Sequence, residues 1–466
     1  MLNAQQSEAA KAESGFSLIL AGAGTGKTTT LVEKVGAVIR SGIVLPAQIM
    51  LLTFSRAAAE EMKTRIAKKL PEAESITAGT FHSVALSILR RFCPEWSLLR
   101  NFSGTPSVID EDKQNGILFD LAKDRLDDFF GIPVGTIVWL CTPINRRKGS
   151  SFHGFSLIEE ALDGLLADYE RFKSEHALAD FSDLIRDCCL LIRESPSVRA
   201  QLHASYRYIF IDEFQDIADE TLEFVRLLLP ESSANLCAVG DDAQAIYSFM
   251  GSTPKHICAF EDLFPGAAVR RLTENYRSRR EIIALSNAVI ERNVTGMKKR
   301  LHAARGKGGA VRFHSTPDAV EEFSIIKRIC DESEGTVSVL FRNNWQIARA
   351  RICLEKMDFC FRDGIIFQTI HASKGLEYDT VILAGVEDGI FPGICSEIEE
   401  ERRLLYVALT RAKDRLHIVY RADGESRASF ADECIAAQSN ALKRRAGLYL
   451  DRAAARGSSI RKRLGL

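Results

Sequence analysis

Short apolar runs rich in β-branched and aromatic residues recur along the 466-residue chain, separated by longer segments of helical periodicity. Apolar runs of this length predict strands, and their alternation with helices predicts parallel sheets flanked by helices. The first helical pattern covers 30–39. The runs are numerous enough for two sheets, so the predicted fold class is α/β. The predicted strands are 18–20, 49–54, 208–211, 236–239, 337–341, 380–383 and 417–420.

A glycine-rich segment, AGAGTGKTT at 21–29, joins the first predicted strand to this helix in the order that a P-loop requires. Its glycines allow the backbone to fold around an anion, so that successive N–H groups point at a triphosphate. Lys27 supplies a positive charge to the β- and γ-phosphates, and the Thr28 hydroxyl is a predicted magnesium ligand. A small residue, Ala21, stands where the first glycine is usual. The predicted nucleotide-binding residues are Ala21, Gly22, Ala23, Gly24, Thr25, Gly26, Lys27, Thr28 and Thr29.

An acidic segment, DEFQD at 212–216, follows the predicted strand 208–211. A buried strand that ends here would deliver Asp212 to the magnesium, and Glu213 would orient and deprotonate the attacking water. The alternative is a surface acid cluster that caps the helix expected to begin near Asp219. With the P-loop, the segment predicts hydrolysis of ATP or GTP.

Composition and charge restrict the class of protein. The length predicts three or four packed units, and a formal net charge of −1 means that nucleic-acid binding would require a local basic groove. The eleven cysteines lack the spacing of a metal site, which favours a reducing compartment. The N-terminus has no signal-peptide pattern and no run approaches a membrane span. We therefore expect a soluble cytoplasmic protein without membrane contact.

Further polar and aromatic signatures follow one another in a fixed order: Leu2-Asn3 with Gln6, TFSRAAA at 53–59, GTFHS at 79–83, VGDDAQAIY at 239–247, ENYRS at 274–278, TIHASKGLE at 369–377 and YVALTRA at 406–412. With the P-loop and the acidic segment, they resemble the motifs of the UvrD/Rep family of superfamily 1 DNA helicases. The resemblance implies two RecA-like P-loop motor domains with parallel sheets, ATP and Mg²⁺ as cofactors, and DNA as the track.

The resemblance also assigns roles around the nucleotide. Arginine stays charged and can stabilise charge on a transferring phosphoryl group, which suits the sensing of a γ-phosphate. The implied roles are adenine reading for Gln6, adenine stacking for Tyr276, ribose contact for Glu377, γ-phosphate sensing for Arg277 and Arg411, and linkage of the γ-phosphate to DNA for Gln244.

Aromatic rings can bind a single DNA strand by stacking on its bases without selecting among them. The alternative for each phenylalanine is core packing. Such contacts predict binding of single-stranded or tailed duplex DNA with little sequence preference. The DNA-binding candidates are Phe54, Thr80, Phe81, His82, Tyr247 and Phe249, with His371 and Lys374 holding the strand from the second motor domain.

The resemblance divides the chain into motor domain 1A (1–85 and 205–265), a helical accessory domain 1B (86–204), motor domain 2A (266–438) and a basic tail (439–466). Only 24 residues separate Asn344 from Thr369, enough for a helix and a return strand, so the second accessory domain, 2B, is predicted to be absent. Met250 stands where the family usually has an arginine. The tail is either solvated or an arm that binds nucleic acid or a partner.

The sequence thus predicts an ATP hydrolase that moves 3′ to 5′ on single-stranded DNA as a translocase or helicase. The alternative is a nucleotide-gated DNA-binding subunit that acts beside a nuclease, as in phage-defence complexes, without autonomous unwinding. A nuclease or repair protein is a candidate partner in either case. The oligomeric state stays open.

Overall fold

The computed structural model describes residues 2–142, 155–230, 233–394, 396–422 and 428–439. The predicted tail lies outside these residues apart from Ser439. The chain forms two compact units: the first comprises 1–19, 28–239 and 247–270, and the second comprises 20–27, 240–246 and 271–466. The P-loop and the turn 240–246 thus belong to the second unit, although the strands that precede them belong to the first.

A six-stranded sheet organises the first unit, and its most buried strands are apolar on both faces, as expected of strands covered by helices. The strand at 49–53 pairs in parallel with those at 77–80 and 208–211, and the strand at 208–211 with that at 236–240, so their carboxyl ends share one edge. In the sheet order β3-β2-β6-β7-β1-β8, the strands are β1 (Phe16–Ala21), β2 (Ile49–Thr53), β3 (Thr77–Thr80), β6 (Tyr208–Ile211), β7 (Leu236–Gly240) and β8 (Ala268–Leu272).

Helices flank this sheet, and several begin at a side-chain cap that bonds an otherwise unpaired backbone N–H. Ser55 and Thr80 cap the helices that follow β2 and β3 in this way. The helices are α1 (Ala4–Ala9), α2 (Lys27–Arg40), α3 (Arg56–Lys69), α4 (Phe81–Arg91), α9 (Phe181–Glu194), α10 (Pro196–Ser205), α11 (Asp219–Leu228), α12 (Lys255–Cys258) and α13 (Phe260–Leu263).

The segment between α4 and α9 is mainly helical. A separate apolar core forms there from residues such as Leu118, Phe129 and Leu165. One short parallel pair of strands accompanies the helices. The elements are α5 (Cys93–Arg100), β4 (Ser107–Val108), α6 (Glu111–Lys123), α7 (Val134–Cys141), α8 (Phe155–Glu175) and β5 (Leu178–Ala179).

A five-stranded parallel sheet organises the second unit, with the order β11-β15-β14-β12-β13. Its apolar core packs Val339, Ile382 and Val419 against helices. The strands are β11 (Ala310–Thr316), β12 (Val337–Phe341), β13 (Ile365–Thr369), β14 (Tyr378–Val386) and β15 (Ala412–Arg421), with a short pair β9 (Glu274–Asn275) and β10 (His302–Ala303). The helices are α14 (Arg280–Ile290), α15 (Ala319–Glu332), α16 (Asn344–Glu355), α17 (Ile398–Leu409) and α18 (429–439).

The predicted α/β class with two parallel sheets is confirmed. Strand 337–341 has the predicted bounds, whereas 380–383 forms only the central part of β14 and 417–420 only the second half of β15. The stretch from Asn344 to Thr369 holds the expected helix, α16, and return strand, β13. None of the helices in the described part of the chain combines the length and apolarity that a membrane span needs.

A buried ionic cluster connects α8 to the start of α9. The Lys173 side chain is 1% exposed, and its Nζ lies 2.9 Å from Asp180, 2.7 Å from Asp183 and 2.8 Å from Glu170. Burial disfavours the charged lysine, but Asp183 and Asp180 outweigh it and raise the pKa of Lys173. Removal of one member should be costly, because the charges of Lys173, Asp180 and Asp183 are all desolvated.

We predict that Lys173→Met destabilises the protein by about 3–5 kcal/mol, since it leaves the buried Asp180 carboxylate without an ion-pair partner among the described residues and leaves Asp183 to Arg100 and Arg186. Lys123→Met is the matched control, because Lys123 pairs with Asp120 at the surface, where the side chains are 53% and 79% exposed. The control is expected to change stability by less than about 0.5 kcal/mol. Urea unfolding of both variants measures the difference, and equal midpoints would contradict the prediction.

Candidate nucleotide and nucleic-acid site

The glycine-rich loop follows β1 directly and ends where α2 begins at Lys27. Gly24 and Gly26 adopt positive φ angles of 66° and 82°, a conformation that favours glycine. The Thr25 hydroxyl donates to the Gly22 carbonyl oxygen at 2.8 Å and closes the turn. Lys27 therefore lies at the amino end of a 14-residue helix, where backbone N–H groups favour an anion.

Within the second unit, the loop packs closely against the ENYRS segment. The Asn275 side-chain amide donates to the Ala23 carbonyl oxygen at 2.6 Å, and the Tyr276 N–H donates to that of Gly24 at 2.9 Å. A Cβ at Gly24 would lie 2.6 Å from Asn275 Nδ2, so this glycine is required for packing as well as for its φ angle. Two motifs that are far apart in the sequence are thus joined.

The acidic segment begins where β6 ends. Asp212 is 5% exposed, and its carboxylate accepts from the Glu213 N–H at 3.0 Å. Glu213 itself has a φ of 54°, which is a left-handed conformation that costs a non-glycine residue on the order of 1–3 kcal/mol. Its carboxylate accepts from Gln215 Nε2 at 2.6 Å. Strain of this kind is concentrated at functional sites, where it fixes the direction of a side chain.

The turn 240–246, which follows β7, carries Gln244 in a buried hydrogen-bonded position. Gln244 Nε2 donates to Asp241 Oδ2 at 2.5 Å, and Gln244 Oε1 accepts from Arg411 Nη2 at 3.3 Å. Arg411 is 1% exposed and also donates to the carbonyl oxygens of Val407 and Leu376. The two predicted coupling residues, Gln244 and Arg411, are therefore in direct contact.

Arg277 lies in the same unit and forms an ion pair with Glu377. Arg277 Nε is 2.7 Å from the Glu377 carboxylate, and Arg277 Nη1 donates to the Thr410 carbonyl oxygen at 3.2 Å. Lys413 Nζ is 3.1 Å from the same carboxylate. Partial burial raises the pKa of Glu377, but hydrogen bonds and charge from Arg277 and Lys413 outweigh this and lower it. Glu377, the predicted ribose contact, is thus a partner of the predicted γ-phosphate sensor.

The two predicted adenine contacts differ in exposure. The Tyr276 side chain is 44% exposed, and its hydroxyl donates to Glu274 at 2.7 Å. Gln6 is buried, and its side-chain oxygen accepts from the Asn3 N–H at 3.0 Å while its own N–H donates to Asn3 Oδ1 at 2.7 Å. This reciprocal capping box fixes the start of α1. The Tyr276 ring is thus accessible for stacking.

Three of the aromatic DNA-binding candidates form a row in the first unit. The rings of Phe54 and Tyr247 stack with centroids 5.2 Å apart, and Tyr247 contacts Phe249 edge to face at 5.9 Å. Phe54 and Phe249 are 40% and 42% exposed. Burial, with the charges of Asp216 and Glu213, raises the pKa of Tyr247 to about 12. The row therefore lies within electrostatic reach of the acidic segment.

The three DNA-binding candidates from the GTFHS segment differ in burial and in their contacts. Phe81 is buried at 7% exposure on the inner side of α4, which supports the core-packing alternative for this ring. Thr80 acts as the cap of α4 by accepting from the Ser83 N–H at 3.2 Å. His82 is exposed and meets Phe181 edge to face with centroids 6.4 Å apart. Of the three, His82 has the side chain that is accessible to a base.

In the second unit, His371 and Lys374 both contact the turn 240–246. Lys374 Nζ donates to the Gln244 carbonyl oxygen at 2.9 Å. Burial lowers the pKa of His371 to about 4, with further lowering by Arg342 and Lys374, while a hydrogen bond to the Ile246 backbone partly opposes the shift. His371 is therefore neutral at physiological pH.

The chemistry of these groups fits the implied cofactors. A triphosphate needs backbone N–H groups and a cation, and the loop supplies both, with no side chain at Gly24 or Gly26 to obstruct it. Magnesium prefers oxygen ligands, which the Thr28 hydroxyl and the Asp212 carboxylate provide. The loop thus suits a triphosphate and the two oxygen groups suit Mg²⁺, which would neutralise charge on the phosphates.

One residue of the site carries no signal in the sequence. Lys299 Nζ lies 2.7 Å from Asp241 and also bonds the Asp242 carboxylate, and its side chain is 6% exposed. In the sequence it belongs to the basic run Lys298-Lys299-Arg300, which would be read as an exposed charge cluster. Only the contact with Asp241 and Asp242 distinguishes it from its neighbours.

Comparison with known proteins gives consistent matches. A model of the UvrD/REP helicase N-terminal domain matches residues 2–265, and a model of the UvrD-like helicase C-terminal domain matches 351–423. The chain is 31% identical over 360 residues to the ATP-dependent DNA helicase PcrA of Staphylococcus aureus, covering 74% of this chain and 48% of that protein. PcrA of Staphylococcus epidermidis is 30% identical over 360 residues, which again cover 74% of this chain and 48% of that protein. The chain thus spans about half the length of these relatives. Since the N-terminal model alone covers more than half of the chain, this protein belongs to the UvrD/REP helicase family.

Proposed function

We propose that this protein is a DNA-dependent ATPase that couples hydrolysis of Mg²⁺-ATP to 3′-to-5′ movement along single-stranded DNA. The single observation that carries the proposal is the arrangement around Gln244. Its side-chain oxygen accepts from Arg411, a predicted γ-phosphate sensor, and its carbonyl oxygen accepts from Lys374, a predicted DNA contact. One residue thus connects candidates for nucleotide sensing and for DNA binding.

In this proposal, Lys27 holds the phosphates and Thr28 and Asp212 supply oxygen ligands to the metal. Glu213 accepts a proton from the attacking water, and its left-handed backbone fixes the direction in which the carboxylate points. Arg277 and Arg411 stabilise charge on the transferring phosphoryl group. Tyr276 stacks on adenine, Gln6 reads its edge and Glu377 contacts the ribose.

The proposed track is single-stranded DNA, held mainly by stacking. Phe54, Tyr247 and Phe249 present an aromatic row, and such rows bind any base because every base has a π-face. His82, His371 and Lys374 would add contacts to the backbone or bases. Weak sequence preference follows from this mode of binding.

The proposed domains are 1A (1–85 and 205–265), 1B (86–204), 2A (266–438) and a basic tail (439–466). The short connection through α16 and β13 supports the view that 2B is absent from 2A. A motor built in this way would translocate and yet unwind duplex poorly without a partner.

A second candidate function is a nucleotide-gated DNA-binding subunit of a complex with a nuclease or repair protein. The observation that favours it is Met250, which is 51% exposed directly after the aromatic row. A methionine cannot neutralise a phosphate, so this surface would bind a strand less tightly than one with a cation. A switch that binds and releases DNA needs less affinity than a processive motor.

The deciding experiment measures ATPase activity of the purified protein with and without single-stranded DNA, followed by unwinding of a duplex with a 3′ tail and of one with a 5′ tail. Stimulation with unwinding from the 3′ tail alone supports an autonomous helicase of the proposed polarity. Stimulation without unwinding supports a translocase or a nucleotide-gated subunit that needs a partner. Absence of stimulation by DNA would refute both.

We predict that Glu213→Gln lowers kcat of the DNA-stimulated ATPase by about 10²–10⁴-fold, because the amide cannot accept the proton of the attacking water. Affinity for a fluorescent ATP analogue should stay within about twofold, since Lys27 and the loop are unchanged. Glu261→Gln, an exposed acid of the same unit, is the matched control and should retain wild-type turnover. A variant that keeps more than a few per cent of kcat would remove Glu213 from its assigned role.

We predict that Phe54→Ala and Tyr247→Ala each weaken binding of single-stranded DNA by about 1–3 kcal/mol, which is roughly 5- to 150-fold in Kd. Because the two rings stack on each other, the double variant should lose less than the sum of the single losses. The slope of log Kd against log salt should not change, since no charge is removed.

Phe130→Ala is the control for these variants, because Phe130 is 78% exposed but lies in the helical segment between α4 and α9. Fluorescence anisotropy with a labelled oligonucleotide at several salt concentrations gives both quantities. If Phe130→Ala weakens binding as much as Phe54→Ala, the aromatic row is not the binding surface.

A further inference from the structure

The Lys299 ammonium group is nearly enclosed by the second unit. Its Nζ contacts both Asp241, at 2.7 Å, and Asp242. Burial disfavours the charged lysine, but the two carboxylates outweigh it and raise its pKa. Asp241 in turn is fully buried; Lys299 and Lys27 overcome the effect of burial and lower the pKa of its carboxyl. Each group therefore favours the charged form of the other.

The segment 297–301, which carries Lys299, also contacts the turn 240–246 and the glycine-rich loop. The Met297 N–H donates to Asp242 Oδ2 at 2.9 Å. The side chain of Leu301 covers Gly22 so closely that a Cβ at Gly22 would overlap it, and the Leu301 N–H donates to Asn287 Oδ1 at 3.0 Å. Residues 297–301 thus hold the turn 240–246 and the glycine-rich loop at the same time.

Asp241 determines the orientation of the Gln244 amide. A charged carboxylate can only accept hydrogen bonds, so it faces the nitrogen of the amide, and the oxygen is left to face Arg411. Arg411 can only donate, so it also requires the amide oxygen; if Asp241 lost its charge or moved, however, the amide nitrogen would lose its fixed acceptor and the Gln244 side chain would no longer be held at hydrogen-bond distance from Arg411. Lys299, which together with Lys27 keeps Asp241 charged, therefore also supports the Gln244–Arg411 contact.

We propose that Lys299 is a positioning residue that fixes Asp241 and, through it, the orientation in which Gln244 receives the hydrogen bond from Arg411. The inference rests on the proposed function, because Gln244 is the residue that links nucleotide sensing to DNA. Lys299 contacts neither the glycine-rich loop nor the predicted DNA contacts through any hydrogen bond of the described residues. Its effect should appear in coupling, that is, in the stimulation of hydrolysis by DNA.

The experiment compares Lys299→Met with Lys298→Met. The two changes remove the same charge from adjacent residues, but Lys298 is exposed and forms no ion pair within the described part of the chain. The measured quantity is the ratio of kcat with saturating single-stranded DNA to kcat without DNA. A loss of folded protein lowers both rates in proportion, so the ratio does not report a merely structural defect.

We expect Lys299→Met to lower this ratio on the order of tenfold, a typical size for a change within a coupled network. Lys298→Met should keep the wild-type ratio. Lys299→Arg should restore most of it, because the guanidinium retains the charge and a cavity of about 510 Å³ lined by Lys299 provides room for the longer side chain. A wild-type ratio in Lys299→Met would overturn the inference.

If Lys299→Met does not fold, Lys299→Met with Asp241→Asn removes both charges of the 2.7 Å pair, and the Asp242 carboxylate keeps the hydrogen bond from the Met297 N–H. Asparagine can face Gln244 with either end of its amide, so the double variant should fold and still show a low ratio. A wild-type ratio in the double variant would refute the role of Lys299. Failure of the proposed function is distinguishable, since the wild-type protein itself would then show no stimulation by DNA.

Discussion

A carboxylate without access to water is stable only when neighbouring groups compensate its charge, and Asp241 is such a carboxylate. Lys299 and Lys27 supply the compensating charge, and Gln244 supplies a hydrogen bond. The cations come from the segment after α14 and from the glycine-rich loop. The requirement to neutralise one buried charge thus brings separate parts of the sequence together around the turn 240–246.

The same turn accepts contacts from two later segments of the second unit. Arg411, two residues after α17, donates to the Gln244 side chain, and Lys374, after β13, donates to the Gln244 backbone carbonyl. Both donors are cations and both acceptors belong to one residue. A change in the position of Gln244 must therefore alter both contacts, which is the property that a coupling element needs.

In the first unit, the order of the strands determines which residues lie along one edge of the sheet. Because β3, β2 and β6 are parallel neighbours, the residues that follow them lie along one edge, as is general for ligand sites in α/β proteins. Thr80 is the last residue of β3, and Phe54 and Asp212 directly follow β2 and β6. The left-handed backbone of Glu213 then turns the chain out of β6. The position of the acidic segment is thus set by the sheet, and its direction by local strain.

Local signals in the sequence were enough to predict the main strands, the glycine-rich loop and the motif residues. Apolar runs identified the main strands, because burial on both faces requires continuous apolar residues, and glycine spacing identified the loop before α2, because only small residues fit there. The family motifs predict roles for Gln244, Arg277 and Arg411 from residue type and order. These features depend on neighbours in the chain, so the chain itself displays them.

Other features were decided only by the tertiary structure. Phe54 and Phe81 follow strands in a similar way, yet Phe54 is exposed beside Tyr247 while Phe81 is buried on α4. Lys299 and Lys298 are identical in type and adjacent, yet only Lys299 contacts Asp241. Burial and charge pairing depend on which distant segments meet, and a periodic pattern along one segment contains no information about its partners.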